Sequence, residues 1–292
     1  MTRLATSLVF ALIAALMAVP AYFMYNKMPE AWLQDYDFDP NAKNFRLAKR
    51  LKPYHIALFA VIYAVIVGIG AYLYPNFLSL DNWIRVTGLL LLFPGFTIII
   101  MSDALNRIIP DHIIVLDAVI SIFYFVSDFT CGNIWIDSGK PWYYFVLNRV
   151  FAGLLGAGIL FFIGWLSSVI SKQEAMGFGD VKLLLLCGLL SGLKGLIFVF
   201  FISFVAGGIV AVPLFIRKRI RIAKEEKAIR ESDNPAKARK LAAKKKLEQD
   251  FADNPDVLSF GPFLVLGTGL FLVFEPLCLE IFNWYFGPLL GA

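Results

Sequence analysis

Long apolar runs, each close to bilayer thickness and separated by short polar or charged segments, recur along almost the whole of this 292-residue chain. A helix needs about 20 consecutive apolar residues to cross the hydrocarbon core. The runs predict eight helical spans, at about 5–25, 55–74, 86–102, 112–130, 142–170, 181–193, 196–216 and 258–275, the sixth being short. They are continuous rather than alternating, which fits helices and not barrel strands, and only these two structures satisfy every backbone polar group in lipid. The fold class expected is therefore all-α, a polytopic membrane helix bundle with polar loops. The first run follows Thr2 and Arg3 in the manner of a secretory signal. Its apolar core is too long, however, and no convincing small-residue cleavage site follows, so it is read as a span.

Composition agrees with this pattern, since 59% of residues are hydrophobic and 17% charged. The net charge of +5 changes the picture only through its distribution. Lys43, Arg46, Lys49, Arg50 and Lys52 crowd one loop, and Arg217, Lys218, Arg219, Arg221, Lys244, Lys245 and Lys246 another. Loops rich in Lys and Arg stay in the cytoplasm. With both inside, the termini and the cation-poor loops 75–84 and 131–141 lie outside, and the connections 103–111 and 171–180 share the cytoplasmic side.

Each of those two connections carries an acidic group. The first reads Asp103-Ala-Leu-Asn-Arg-Ile-Ile-Pro110-Asp111, with Pro110 disfavouring helix at Ile109 and marking a turn. The second reads Gly177-Phe-Gly179-Asp180-Val-Lys182 at the head of an apolar run. Ionisable groups are expensive at membrane depth, so each is a functional candidate. Two carboxyls at the cytoplasmic ends of different helices are what peptide hydrolysis by an aspartic mechanism needs, one ionised to activate water and the other protonated to polarise the scissile carbonyl. No metal or covalent nucleophile is required.

The stretch Met176-Gly-Phe-Gly-Asp180-Val-Lys-Leu resembles the signature of the Gly-x-Gly-Asp intramembrane aspartyl proteases, in the form found in type IV prepilin leader peptidases. Three further matches strengthen the likeness: Asp103 followed eight residues later by the Asp of Ile-Pro-Asp111, the Glu174-x-Met-Gly preface with its Lys182-Leu extension, and Phe260-Gly261-Pro262-Phe-Leu264-x-x-Gly267 opening the last span. The resemblance covers about residues 84–275. It divides the chain into an N-terminal membrane part, 1–83, with two helices and a cysteine-free loop, and a peptidase membrane domain, 84–292, with a basic cytoplasmic insertion at 217–257. It implies a catalytic pair of Asp103 and Asp180, with Asp111 the rival for the first place. Gly177 and Gly179 would shape the backbone around Asp180, or serve as small helix-contact residues. Lys182 would act on the Asp180 charge or reach to the headgroups, and Phe260, Gly261 and Pro262 would form a helix-entry turn beside the site.

The resemblance also implies the substrates: type IV prepilins or secretion pseudopilins, cleaved by water after a leader ending in Gly and before a hydrophobic residue. The setting is the cytoplasmic (inner) membrane, with the active site at its cytoplasmic face. Longer members of the family carry paired CxxC motifs in the first cytoplasmic loop, associated with zinc and with N-methylation of the product. Here that loop, at about 26–54, has no cysteine, and Cys131, Cys187 and Cys278 are isolated. Peptidase activity without a metal or cofactor is therefore expected, with S-adenosylmethionine needed only if methyl transfer is retained. His55 and His112 have no ligand cluster, and Asp35, Asp37 and Asp39 read as a solvated turn. Asp117, about 9 Å along its helix from Asp111, reads as a polar contact in the bundle or a relay group, and Glu275 and Glu280 as interfacial.

The segment 217–257 interleaves basic and acidic residues at spacings that allow i,i+4 pairs, and Asn234-Pro235 and Asn254-Pro255 break it, predicting two cytoplasmic helices with a hinge. Its cations suit anionic headgroups or a pilus or secretion assembly protein. A nucleic-acid partner is not expected, because only Phe251 supplies a stacking surface in the run. Two other classes of function compete. A transporter would be expected to place its acidic groups near the midplane in broken helices, and a non-catalytic scaffold of a pilus or secretion assembly would need neither motif.

Overall fold

A computed structural model describes residues 3–34, 47–136, 139–171, 177–231 and 258–290, and all regular structure among them is helical. α1 (Arg3–Leu16) and α2 (Ala18–Lys27) form one apolar span. α3 (Pro53–Leu73) begins on a proline, whose fixed φ suits the first helical turn, and the His55 ring accepts the Lys52 N–H at 2.9 Å. α4 (Trp83–Asn106) is followed by α5 (Asp111–Ile120) and α6 (Ile122–Thr130), which together make the next span. Then come α7 (Trp142–Ser171), α8 (Phe178–Arg230), α9 (Gly261–Val273) and α10 (Glu275–Leu290).

α4 is the central element: 72% of its apolar window is buried, against no more than 39% in the other spans. It is ringed by α2, α5, α6 and α9. Two glycines let its neighbours close in, because a Cβ at Gly88 would meet Phe123 at 2.8 Å and one at Gly95 would meet the Asp117 carboxyl at 2.1 Å.

As a straight rod, the 53 residues of α8 would run about 80 Å, more than twice the hydrocarbon core. Gly192 interrupts it, with φ 69° and ψ 178°, a conformation that glycine adopts without steric cost. Before the break, Gly188 packs on Ala152 and Gly153 of α7; after it, Gly195 packs on Phe271 and Gly207 on Phe260 and Phe263 at the head of α9. Gly179 and Gly261 both lie against Ile109. Residues 179 and 207 therefore lie toward the same end of the bundle, and the chain reverses at Gly192. Among the described residues, six helical segments, with α1–α2 and α5–α6 each taken as one, are long and apolar enough to cross a bilayer, or seven when α9 and α10, bent by 88°, count as one crossing. The eight expected are reached only by counting the arms of α8 apart. α10 is an element the apolar pattern did not predict.

The reversal ends in a buried charge network. Arg149 of α7 donates from Nε and Nη2 to the two oxygens of Asp128 at 2.6 and 2.9 Å. Its Nη1 donates to the Leu189 carbonyl at 3.3 Å and to that of Leu190, carbonyls at the helix end that Gly192 creates. Arg85 at the head of α4 lies 3.6 Å from Asp128 and 3.4 Å from Glu275, whose other oxygen accepts from the Trp135 indole at 2.9 Å. All four charged side chains are buried, and two cations meet two anions, as charges at membrane depth require. Glu275, expected at the interface, is thus an interior residue: α9 stops at Val273 and the bend carries Glu275 inward.

The basic segment also departs from expectation. The second arm of α8 continues unbroken into it as far as Arg230, with Lys227 and Glu231 paired at 3.8 Å, so its first part is an extension of the membrane helix and not a separate one. Both predicted proline breaks lie outside the described residues, as do Asp35, Asp37 and Asp39, Glu174 and Met176.

Candidate functional site

The end of the bundle away from the charge network is where α4 stops. Arg107 closes it in the left-handed region, φ 58° and ψ 33°, its N–H donating to the Asp103 carbonyl at 3.0 Å. Among the described residues it alone, glycines aside, has a positive φ. A non-glycine held there stores strain, and such positions gather at functional sites. Pro110 then caps α5, and Asp111 takes the first helical position, where the helix dipole favours an acid.

Asp103, in the last turn of α4, is buried, and its Oδ2 has no hydrogen-bond partner among the described residues. The backbone of Gly261, first residue of α9, faces it: a Cβ there would sit 2.5 Å from Oδ2 and 3.2 Å from Ile109. Asp180 lies in the first turn of α8, half-buried, with its N–H donating to the Gly177 carbonyl at 3.2 Å. A Cβ on the adjacent Gly179 would touch Ile109 at 3.4 Å. Ile109 is thus the common wedge between the heads of α8 and α9, and Asp180 is near enough for its charge to act on Asp103. The two carboxyls come from different helices, with α9 packed against both α4 and the second arm of α8.

The remaining residues expected at the site lie at the heads of α5, α8 and α9. Lys182 Nζ donates to both oxygens of Asp111 at 2.9 and 2.7 Å and lies 5.2 Å from the centre of the Phe178 ring. Residues two apart on a helix do not face each other, and Lys182 accordingly turns away from Asp180. Pro262 stands at the second position of α9, and Phe260, just before it, packs on Phe204 and Phe263. Gly177 is exposed, with ordinary extended backbone and open space where a side chain would go.

The described residues at the two ends of the first loop, up to 34 and from 47, lie against this end as a strap, an arrangement that its basic, cysteine-free composition does not predict. Glu30 accepts from the Ala48 amide and from Arg50 Nη2 at 2.7 Å. Arg50 Nη1 also donates to the carbonyls of Tyr25 and Met28. Asn106, in the turn that carries Asp103, accepts the Lys49 N–H at 2.8 Å and donates to the Tyr25 hydroxyl at 2.8 Å. Trp32 stacks on His112 at 3.8 Å and 9°. Glu30 and Arg50, on opposite sides of the loop, were the one sign of the strap in the sequence, and nothing there pointed to Asn106 as its anchor. Asp117 lies deeper, fully buried, with neither oxygen hydrogen-bonded among the described residues.

No group of three or more His, Cys, Asp or Glu among the described residues is arranged to hold a metal ion. The ends of α4, α8 and α9 bring a buried and a half-buried carboxyl to the neighbourhood of Ile109, at the rim of the bundle. No curated protein and no solved structure matches the chain. Residues 90–212, which contain Asp103, Asp111, Asp180 and Lys182, match the model of the type IV leader peptidase family.

Proposed function

We propose that this protein removes the leader from type IV prepilin or pseudopilin precursors at the cytoplasmic face of the inner membrane by aspartic hydrolysis, with Asp103 and Asp180 as the catalytic pair. The observation that supports the reading is that Gly261, which faces Asp103, and Gly179, next to Asp180, both lie against Ile109 at one end of the bundle. One ionised carboxylate takes a proton from water as that water attacks the scissile carbonyl. The other, protonated, donates a hydrogen bond to the carbonyl oxygen and then passes a proton toward the leaving amine. Asp111 is engaged by Lys182, which supports Asp103 as the partner of Asp180. The height of the pair suits a substrate whose leader ends in Gly outside the bilayer and whose mature part begins with a hydrophobic residue and an apolar helix. Hydrolysis on this scheme needs only carboxyls and water. Methyl transfer is not part of the proposal.

The test uses the full-length protein in proteoliposomes with a synthetic precursor: a Lys-rich leader ending in Gly, then Phe and an apolar helix. Asp103→Asn and Asp180→Asn keep side-chain shape and lose the acid–base function, so each is expected to abolish cleavage to a similar extent, because the two groups act as a unit. Near-normal cleavage by Asp103→Asn together with loss in Asp111→Asn would overturn the assignment. A transport reading rests on Asp117, buried in mid-span over Gly95; under the peptidase reading Asp117→Asn still cleaves.

A further inference from the structure

We propose that the Lys182–Asp111 ion pair is a positioning clamp that fixes Asp180 against Asp103. The inference rests on the aspartic reading above. Asp111 opens α5 and is tied through Pro110 and Ile109 to the turn that follows Asp103. Lys182 lies on the first turns of α8, two residues beyond Asp180. The bidentate contact at 2.9 and 2.7 Å therefore joins the chain segments that carry the two carboxyls, beside the apolar contact of Gly179 with Ile109. The Phe178 ring, 5.2 Å from Nζ, flanks the ammonium from the same helical turn.

Exposure separates a clamp from a structural ion pair. The two side chains retain 31% and 40% of their accessibility, and pairs this exposed contribute little to global stability. An effect on rate that far exceeds the effect on unfolding is thus the mark of positioning, since a displacement of about 1 Å at reacting groups costs on the order of 100-fold in rate.

The experiment measures cleavage of the synthetic Gly-Phe precursor by the full-length protein, with thermal unfolding recorded in parallel. Lys182→Gln and Asp111→Asn are each expected to lower kcat on the order of 100-fold with KM nearly unchanged, and to move the melting temperature by no more than about 4 °C. The exchanged protein, Lys182→Asp with Asp111→Lys, restores the tie with its polarity reversed and is expected to recover most of the lost kcat. Lys182→Arg and Asp111→Glu decide the matter should the exchanged protein fail to fold: under the proposal each keeps far more activity than its neutral counterpart. Full activity in the neutral variants overturns the proposal. So does loss in the neutral variants with no recovery in a folded exchange, since the residues would then be acting singly. Asp103→Asn and Asp180→Asn run in the same assay keep the two questions apart, because cleavage by either one removes the aspartic reading itself, whatever the clamp variants do.

Discussion

A methyl group on Gly261 would lie 2.5 Å from Oδ2 of Asp103, a distance real Cβ atoms do not tolerate. The carboxyl is short and buried, so relief has to come from rotation of the side chain whose placement matters most. Gly261→Ala is expected to cut kcat by roughly 10- to 100-fold with little change in KM. Gly207→Ala is the control: its new methyl would meet Phe260 and Phe263 at an ordinary 3.6 Å, and its kcat should stay within about twofold of the parent. Equal losses in the two variants would mean that the approach of Gly261 to Asp103 is not what matters. At this scale the sequence singled out the two aspartates as candidates, because an acidic residue ahead of Pro110-Asp111 at the end of one apolar run and a Gly-x-Gly-Asp at the head of another mark the ends of two spans. It did not reveal the partner of Lys182. Helical spacing shows that Lys182 faces away from Asp180, but which neighbouring helix it meets depends on packing that no local pattern encodes.

At the level of elements, the reversal of α8 hangs on Gly192 and on the charges gathered beside it. Arg149 neutralises Asp128 and also occupies the Leu189 and Leu190 carbonyls, so its removal leaves a buried carboxylate and helix-end carbonyls together. Arg149→Met is expected to destabilise the protein by about 3–5 kcal/mol, and Arg149→Met with Asp128→Leu by much less, because breaking a buried pair costs more than replacing it with apolar groups. Thermal unfolding of the single and double variants checks this; equal destabilisation in both would remove the burden from the orphaned charge. The network was hidden from the sequence for a physical reason: its members lie in different spans, Arg85 and Glu275 being 190 residues apart. Opposite charges inside separate apolar runs were the one available sign. The strap over the other end makes a prediction of its own. Burial pushes the Glu30 carboxyl up, but the Ala48 amide, the Gln34 amide and the Arg50 guanidinium outweigh it and hold the group below its ordinary value of 4.5. A carboxylate held low in the folded state contributes stability that is complete above the ordinary value and drains away as the pH falls through the lowered one. Hydrogen-exchange protection of the Ala48 amide should therefore persist down to pH about 4.5 and weaken on further acidification. Protection that fades at higher pH, or that does not respond to acid at all, would contradict this.

For the whole molecule, sidedness is the property on which the proposed chemistry turns. With the native cysteines replaced, single cysteines at positions 108 and 175 are expected to react with an impermeant thiol reagent only once the cytoplasmic face is opened, and one at position 137 in intact cells. Labelling of 108 and 175 from opposite faces would leave Asp103 and Asp180 unable to share a water. The bundle itself was largely legible, because continuous apolar runs of bilayer length have few alternatives in lipid. What escaped was that the chain bends at Phe274 and runs on as a helix past Glu275-Pro276, and that a helix can outlast its apolar part, as α8 does to Arg230. The position of Gly261 carries one more consequence. α9 is made after α4 and α8, and more than half of the chain separates Gly261 from the Asp103 carboxyl it faces. Both aspartates are in the membrane before the wall against which one of them rests has been made. Assembly order would thus act as a safeguard for the proposed chemistry: a nascent chain holds both candidate carboxyls for some time before α9 docks and sets the Gly261 backbone against one of them.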